Sequence, residues 1–314
     1  MDVLADVFKQ AGLKARHVHH RAFTEPTALL FPCTKSIGFH VVTQGKAYIH
    51  TDGKSAPITL GSGDLALMAR GLHHIVSTEA TVPQKVWSLM DRPDGEVPAA
   101  SGTVKPTMAI ASGAYQLWNT PVHPFFGELP EWFVVRSEDI GNFDQLQLAI
   151  TLLTEEVREP KVGTDTVTQA LLDIIFMHIV RKIMALRNAT PATWSHAMHN
   201  TQIKTALELL HTDCAREWTL DELARKVGLS RAGFAQKFKT ALGSTPLQYL
   251  TTIRVQKAMD LLANTSDKME AVASAVGYSD AFSFSKVFKK VAGVPPREFR
   301  LRDREDRDSA WRFQ

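Results

Sequence analysis

One stretch of this sequence occurs twice near its carboxyl end. Residues 227–243 read VGLSRAGFAQKFKTALG, and residues 276–293 read VGYSDAFSFSKVFKKVAG. The matching positions are phenylalanines four residues apart, a lysine, a glycine and a proline: Phe234, Phe238, Lys239, Gly243 and Pro246 against Phe284, Phe288, Lys289, Gly293 and Pro296. Because residues at i and i+4 share one helix face, all four phenylalanines are predicted to be core residues and the two stretches to fold alike.

The first copy carries the signals of a helix, a tight turn and a second helix. Thr219 and Glu222 form a capping box for a helix that Gly228 ends, and Ser230 caps a helix that Gly243 ends. The second copy repeats these devices, with two expected caps and two glycine stops: Asp267, Ser279, Gly277 and Gly293. This is the helix-turn-helix layout, whose second helix enters the major groove of DNA.

A further helix is predicted between the copies, capped by Thr245 and begun by Pro246. About 19 residues at 1.5 Å each give a rod of roughly 28 Å, which is comparable to the roughly 34 Å between successive major grooves on one side of DNA. Such a rod can hold two reading helices on adjacent groove segments. Arg254, within it, either pairs internally or contacts the DNA backbone.

Charge and helical periodicity select the DNA-binding candidates. From position 201 onward Lys and Arg exceed Asp and Glu by 5, whereas the whole chain carries +3. Arg and Gln can bind guanine and adenine through two hydrogen bonds, and Lys more often contacts phosphate. The alternative is a solvated charged face. The candidates lie off the phenylalanine stripes: Ser230, Arg231, Gln236, Lys237, Lys239, Ser279, Asp280, Ser283, Lys286, Lys289 and Lys290.

The second copy, A-x-x-V-G-Y-S-D-x-x-x-F-S-K-V-F-K-K-x-x-G-x-x-P, resembles the signature of the AraC/XylS family of bacterial transcription regulators. The resemblance covers about 100 residues. It implies sequence-specific binding to double-stranded promoter DNA, a homodimer, and RNA polymerase as a further partner.

The amino-terminal half is predicted to be mainly β. Residues 1–20 suggest an amphipathic helix. Between about 20 and 120, short β-branched and aromatic runs alternate with turn residues such as Gly45 and Gly53, which indicates a sandwich or barrel. Residues 91–106 are rich in Pro, Gly and small residues, which is typical of a loop.

Residues 63–74, GDLALMARGLHH, resemble the second conserved motif of cupin barrels. Gly63, Gly71 and His74 fit that motif, whereas Ala69 stands where the family has proline. The first cupin motif is not intact: Gly38 lies near its glutamate position and Cys33 near a histidine position. The resemblance to cupin-type sensor domains implies a small effector bound in the barrel. The effector-binding candidates are His40, His74 and Trp87.

A metal site is the alternative use of these histidines. His74 and Cys33 are the best candidates for Zn²⁺, since His and Cys suit this metal. Strand alternation turns only one of His73 and His74 inward. The simpler interpretation is that the histidines are hydrogen-bonded within the barrel. We therefore expect no cofactor, with zinc as the alternative.

From Phe143 the periodicity becomes helical. The second helix, residues 165–187, is apolar over a wide face, which predicts packing on two neighbours or on a second copy of the chain. Residues 188–200 are predicted to be a linker. The predicted domains are a cupin-like sensor domain (1–130), a helical dimerisation and linker region (131–200), a DNA-binding domain (201–302) and a tail (303–314).

The predicted fold class is therefore α+β with two domains, a cupin-like β-barrel with a helical segment and an all-α domain with two helix-turn-helix units. The predicted function is an effector-responsive transcription regulator without enzymatic activity. The alternatives are a cupin-type metalloenzyme fused to a DNA-binding domain and a DNA-bending structural protein. With two cysteines, no signal-peptide pattern and no run of 18 apolar residues, we expect a cytoplasmic protein without a membrane span.

Overall fold

The computed structural model forms two compact units, called here the barrel unit and the helical unit. The barrel unit contains residues of Lys14–Gln116 and Leu129–Ile183, and the helical unit contains residues of Met1–Leu13, Leu117–Glu128 and Met184–Arg312. The structure describes residues 3–10, 13–32, 36–53, 56–88, 106–117, 123–140, 144–159, 161–187 and 194–305.

Nine described strands form the curled sheet of the barrel unit, which confirms the predicted β fold. The strands are β1 (Leu13–Phe23), β2 (Ala28–Pro32), β3 (Ser36–Thr51), β4 (Ile58–Gly61), β5 (Leu65–Met68), β6 (His73–Ser77), β7 (Val86–Ser88), β8 (Met108–Leu117) and β9 (Trp132–Val135). Their order is β1-β8-β3-β6-β2-β7, while β4 pairs with β3, and β5 pairs with β3 and β9.

The long strand β3 joins the two faces of the barrel. Its first half pairs with β5 and β8, and its second half pairs with β4 and β6. The register with β8 shifts between Val42 and Gln44, which is a β-bulge that bends the strand. Gly45 follows with φ +75, and a Cβ there would lie 1.9 Å from the Thr107 carbonyl oxygen. This close approach therefore requires glycine.

The barrel core is apolar and is drawn from β1, β2, β3, β4, β5, β6 and β8. Burying each large aliphatic side chain contributes about 1.5–3 kcal/mol. Its buried members are Phe23, Leu29, Phe31, Val42, Ala47, Ile49, Leu60, Ala66, Met68, Val76, Met108 and Ile110. At its rim Arg136 Nη1 lies 2.8 Å from the Asp64 carboxylate, which also accepts a bond from the Ser137 N–H.

Helices α3 (Gln145–Arg158) and α4 (Thr164–Arg187) follow β9, as the helical periodicity predicted. Asp144 caps α3 by accepting a hydrogen bond of 2.8 Å from the Leu146 N–H. Leucines of α3 divide between two faces, because Leu146 and Leu153 are buried whereas Leu148 and Leu152 are about half exposed.

The helical unit contains the predicted pair of helix-turn-helix units. Its helices are α1 (Val3–Gln10), α2 (Pro124–Glu128), α5 (Trp194–His199), α6 (Thr201–Thr212), α7 (Leu220–Lys226), α8 (Arg231–Leu242), α9 (Pro246–Asn264), α10 (Met269–Ala275), α11 (Ala281–Ala292) and α12 (Pro296–Glu305). Helices α7 and α8 form the first unit, α10 and α11 form the second, and the 19-residue helix α9 connects them.

Two predicted elements at the chain's junctions differ from the structure in their extent. The amino-terminal helix is present but ends at Gln10, and β1 begins at Leu13 within the stretch predicted to be helical. The predicted linker contains α5, whose Trp194 is fully buried and donates its backbone N–H to the Glu128 carboxylate at 2.7 Å. The predicted loop over 91–105 and linker residues 188–193 lie outside the described residues. Helix α12 continues to Glu305, beyond the predicted domain end at 302.

The caps of the first copy are confirmed. Thr219 accepts from the Glu222 N–H and Ser230 accepts from the Gly233 N–H, both at 3.2 Å, and Thr245 forms a capping box with Gln248. The carboxylate of Glu222 contacts the Arg216 guanidinium instead of completing the first capping box.

Both caps predicted for the second copy are wrong. The N-cap of α10 is Lys268, which makes no side-chain cap, and that of α11 is Asp280, which accepts from the Ser283 N–H at 2.7 Å. One residue inserted in the turn moves this cap from Ser279 to Asp280.

The turn glycines of the two units allow a matched test. Gly228 has φ +70 with nothing within 4 Å of a Cβ, whereas Gly277 has φ +83 and its Cβ would lie 2.2 Å from the Ala215 carbonyl oxygen. We expect Gly228→Ala to lower the free energy of unfolding by about 1–2 kcal/mol, the cost of a left-handed alanine. Gly277→Ala should cost more than about 3 kcal/mol, because backbone must also move. Urea unfolding measures both, and equal losses would contradict the clash.

Candidate nucleic-acid interface and barrel site

Helix α8 is held with one face inward and the opposite face in solvent. Phe234 and Phe238 are fully buried with ring centroids 5.7 Å apart, which confirms their prediction as core residues. Gly243 ends the helix in the left-handed conformation. Gln236 and Lys239 are exposed on the side away from the phenylalanines, and Arg231 is exposed as the first residue of the helix.

The exposed side chains of α8 differ in how freely they can move. Arg231 Nη1 lies 3.3 Å from the Asp221 carboxylate, and both side chains are about two-thirds exposed, so this ion pair is weak and its guanidinium can turn toward DNA. Lys237 is half-buried, and its Nζ donates to Gln202 Oε1 at 2.6 Å. The structure thus places Lys237 against α6, apart from the outer face.

Helix α11 presents a more uniformly basic face. Phe284 and Phe288 are fully buried, and their opposite face exposes Ser283 and three lysines: Lys286, Lys289 and Lys290. Ser279 and Asp280 are exposed at the amino end, where the backbone hydrogen bond from Ser283 lowers the pKa of the Asp280 carboxyl. Asp280 thus holds the first turn of α11 in place as its cap.

Arg254 pairs internally, the first of its two predicted alternatives. Its Nε donates to the Cys214 carbonyl at 2.7 Å and its Nη2 to the Arg216 carbonyl at 2.9 Å. The guanidinium also lies 5.4 Å from the centroid of the Tyr278 ring. It therefore ties α9 to the segment that packs against Gly277.

One exposed residue of α11 was missed by the sequence reasoning. Phe282 is 81% exposed, although the other phenylalanines of α8 and α11 are buried. Its position, two residues before Phe284, places it at about 200° around the helix from the core stripe. That offset is the signal that could have identified it.

In the barrel unit, His40 and His74 form a buried pair. Their Nε2 atoms are 2.8 Å apart, His40 Nδ1 lies 2.8 Å from Ser112 Oγ, and His74 Nδ1 lies 2.8 Å from the Leu72 carbonyl oxygen. The Leu72 carbonyl can only accept a hydrogen bond, so His74 Nδ1–H donates to it, and the unprotonated Nε2 of neutral His74 accepts from His40 Nε2–H. The hydroxyl of Ser112 then donates to His40 Nδ1.

Burial keeps this pair neutral. Removal from water lowers the pKa of His74 to about 4 and holds the pKa of His40 well below its ordinary value, and the neighbouring histidine adds to the effect at His40. The inward position of His74 and the exposure of His73 confirm the predicted strand alternation.

Aromatic rings surround the histidine pair. The Phe31 ring stacks on His74 with centroids 5.1 Å apart, and the Trp132 ring meets His74 edge-on at 4.9 Å. Trp132 Nε1 is buried and has no hydrogen-bond partner within the described part of the chain. We call His40, His74, Phe31, Trp132 and Ser112 the barrel site. The sequence reasoning missed the last three.

Trp87, the remaining effector candidate, lies on β7 opposite Leu29 of β2. Its ring is partly buried against the barrel core, and Lys85 Nζ lies 4.3 Å from the ring centroid. An effector contact by Trp87 stays a prediction.

The described residues supply only part of a zinc site. In the other tautomer of His40, Nδ1–H donates a hydrogen bond to Ser112 and the Nε2 atoms of His40 and His74 could both bind a metal, but structural Zn²⁺ takes four ligands. The described ranges contain no group of three or more His, Cys, Asp and Glu suited to a metal, and Cys33 lies outside them. Zinc binding stays a prediction.

The departures from the cupin motifs have local reasons. The Ala69 N–H donates to the Glu131 carbonyl at 3.1 Å, and proline at this position would lose that donor. A Cβ at Gly38 would lie 3.2 Å from Met68 Cε, so a glutamate there would require Met68 to move.

A second buried polar cluster lies within the helical unit, and we call it the Tyr249 chain. The Phe125 N–H donates to His123 Nδ1, so His123 Nε2 donates to the Tyr249 hydroxyl at 2.8 Å. The Tyr249 hydroxyl donates to His211 Nε2 at 3.0 Å, and His211 Nδ1 donates to the Asp6 carboxylate at 2.6 Å. Each proton has one acceptor, which links α1, the segment before α2, α6 and α9.

Within the described residues, no helix has the length and apolar character needed to cross a membrane.

Comparisons with known proteins agree with these two units. Residues 2–185 match the family model described as Cupin, and residues 223–302 match a helix-turn-helix domain. An AraC-like transcription regulator of Streptomyces lividans is 26% identical over 275 residues, covering 87% of this chain and 89% of the relative.

A second relative and a solved structure are also similar. The HTH-type transcriptional regulator MtrA of Neisseria gonorrhoeae is 27% identical over 83% of this chain and 85% of its own. A crystal structure of an AraC-type DNA-binding regulator from Chromobacterium violaceum is 28% identical, covers 32% of this chain and 91% of that one, and has a TM-score of 0.31.

The Tyr249 chain predicts acid sensitivity. Burial, with the nearby His211, lowers the pKa of His123 to about 3, whereas an unfolded histidine titrates near pH 6.5. Below about pH 6.5 the unfolded chain binds a proton that the folded chain excludes, so stability falls with pH until about pH 3. We expect this one group to contribute a slope of up to about 1.4 kcal/mol per pH unit in urea unfolding.

His123→Gln keeps a donor toward Tyr249 but does not titrate, so its unfolding free energy should fall less steeply with acid. Val162→Ala, at a fully exposed position that does not titrate, serves as the control and should retain the parent slope. An unchanged slope in His123→Gln would contradict the burial of a neutral His123.

Proposed function

The chain belongs to the cupin family through residues 2–185 and is an AraC-type DNA-binding transcription regulator, and from this we propose that a small effector bound at the barrel site controls its action on promoter DNA. The observation that carries the proposal is Trp132 Nε1, a buried donor without a partner in the described chain beside two neutral histidines. Leaving such a donor unpaired costs about 1–3 kcal/mol, which a ligand acceptor would offset.

The chemistry of the barrel site restricts the effector. The rings of Phe31 and Trp132 favour a flat or apolar body, and the neutral state of His40 and His74 disfavours a ligand that depends on a cationic partner. The buried indole N–H of Trp132 requires a hydrogen-bond acceptor on the ligand. We infer a small, mainly apolar molecule that carries a carbonyl or similar oxygen.

Control would follow from differential binding. An effector that binds one arrangement of the chain better than another shifts the population toward it. We propose that α3 and α4 transmit this shift and that the chain acts as a homodimer. Supporting this, Leu148 and Leu152 of α3 are spaced four apart and about half exposed, and Val167 and Ile174 of α4 are also exposed. We further propose that the chain acts in the cytoplasm of a bacterium and that RNA polymerase at the regulated promoter is its partner.

We propose no enzymatic activity for the chain. A cupin-type metalloenzyme needs three or more ligands around an open coordination position, and His40 and His74 supply two. Stoichiometric iron or manganese in the purified chain would favour this second function.

The roles of the recognition helices can be tested on DNA. Mapping the genomic fragments bound by the full chain would supply its operator. On that operator, Arg231→Ala should weaken binding about tenfold and relax the preference at one base. Lys286→Ala should weaken binding to all sequences and lower the number of counterions released on binding by about one. Fluorescence anisotropy at several salt concentrations measures both effects.

Arg158→Ala removes an exposed positive charge from α3 of the barrel unit and should bind as the parent does. If Arg231→Ala and Lys286→Ala also bind like the parent, the assigned reading faces are wrong. The footprint on the operator also reports stoichiometry, since two copies would protect two bipartite sites.

The effector proposal predicts a dependence on one indole nitrogen. A panel of small carbonyl compounds can be screened by thermal shift on the full chain, and the hits tested for a change in operator affinity. Trp132→Phe keeps the ring and removes the donor, so it should weaken binding of a hit about tenfold. Val162→Ala, fully exposed in the barrel unit, should leave it unchanged. Hits that bind Trp132→Phe as tightly as the parent would place the effector elsewhere.

A further inference from the structure

Phe282 is the only exposed phenylalanine, tyrosine or tryptophan in the described parts of the chain. The residue is 81% exposed. Moving its ring out of water and onto an apolar surface would be favourable. Within the described residues of the helical unit, nothing covers it. The residue at the corresponding position of the first unit is Ala232.

The position of Phe282 on α11 aligns it with the basic face. It is the second residue of the helix and lies in the first turn, which Asp280 caps. Lys286 and Lys289 follow it at i+4 and i+7, on the side opposite Phe284 and Phe288. No acidic residue occurs between Ala281 and Ala292. A phenyl ring therefore lies at the amino end of a face whose charges attract phosphate.

This is the end of a recognition helix that contacts base edges, because the amino-terminal residues of such helices reach deepest into the major groove. A phenyl ring neither donates nor accepts conventional hydrogen bonds, so it cannot read the donor and acceptor pattern of the bases. The large apolar feature of that groove is the 5-methyl group of thymine, with which phenylalanine makes apolar contact.

We propose that Phe282 reads the 5-methyl group of a thymine in the half-site bound by α11, and so sets specificity there. The inference rests on α11 entering the major groove. The two units then read DNA by different chemistry: the first through hydrogen bonds from Arg231 and Gln236, the second through an apolar contact flanked by lysines. The recognised DNA is a bipartite site whose halves are not equivalent.

Removal of single methyl groups tests the proposal directly. Each thymine of the operator half-site bound by α11 is replaced in turn by deoxyuridine, and the affinities of the full-length parent and Phe282→Ala are measured by anisotropy. For the parent, one replacement should weaken binding about fourfold. Burying one methyl group contributes about 0.8 kcal/mol, and about 1.4 kcal/mol corresponds to a tenfold change in affinity. Phe282→Ala should bind the unmodified operator about tenfold more weakly and lose nothing further at that thymine.

Two controls keep the result interpretable. Phe282→Leu retains an apolar contact and should keep part of the sensitivity to the methyl group, and circular dichroism checks that both variants fold. If the parent binds no operator, DNA binding itself fails. The proposal is overturned if the parent binds but no thymine shows a methyl effect that Phe282→Ala removes. It is also overturned if Phe282→Ala binds the operator as tightly as the parent, which would assign the ring to a protein partner.

Discussion

The burial of one pair of phenylalanines orients each recognition helix. Phe234 and Phe238 in α8, and Phe284 and Phe288 in α11, are fully buried, and burying one such side chain contributes about 1.5–3 kcal/mol. Neither helix can rotate about its axis without exposing a pair, so the outward face is determined by the core. The outward side chains Gln236 and Lys239 of α8 and the lysines of α11 can therefore differ, because the phenylalanine pairs orient both helices.

The two helix-turn-helix units share a plan and differ in their detailed contacts. Gly228 turns in open space, whereas Gly277 turns against the Ala215 carbonyl, which Arg254 helps to hold from α9. The second unit is thus packed against the segment between α6 and α7, and its turn tolerates less change. The two units share the phenylalanine pairs, whereas the turn, the cap and the outward face differ between them.

Local signals predicted most of the helical unit. Thr219, Ser230 and Thr245 cap where the sequence indicated, because each precedes a helix with its own periodicity. Ser279 and Asp280 are adjacent and both suit a cap, so propensity does not choose between them. Helix α5 escaped notice because six residues are too few for a periodicity to be visible, and the burial of Trp194 depends on Glu128 from a distant part of the chain.

The barrel site was less predictable, since its members come from five strands. His74 was identified by its motif, and His40 as a candidate, but the approach of Trp132 and Ser112 depends on how β9 and β8 pair with β5 and β3, and sequence periodicity does not contain that register. DNA, effector and metal contacts remain predictions from residue type.

The Tyr249 chain makes the helical unit discontinuous in sequence, because Asp6 and His123 complete hydrogen bonds to His211 and Tyr249. During synthesis the amino-terminal helix must therefore wait for more than 200 residues before its partner His211 emerges from the ribosome. A fragment containing only the carboxyl-terminal helices would leave Nδ1 of His211 without Asp6 and the Tyr249 hydroxyl without its donor His123. Such a fragment would be a less well-packed protein than the same helices within the complete chain.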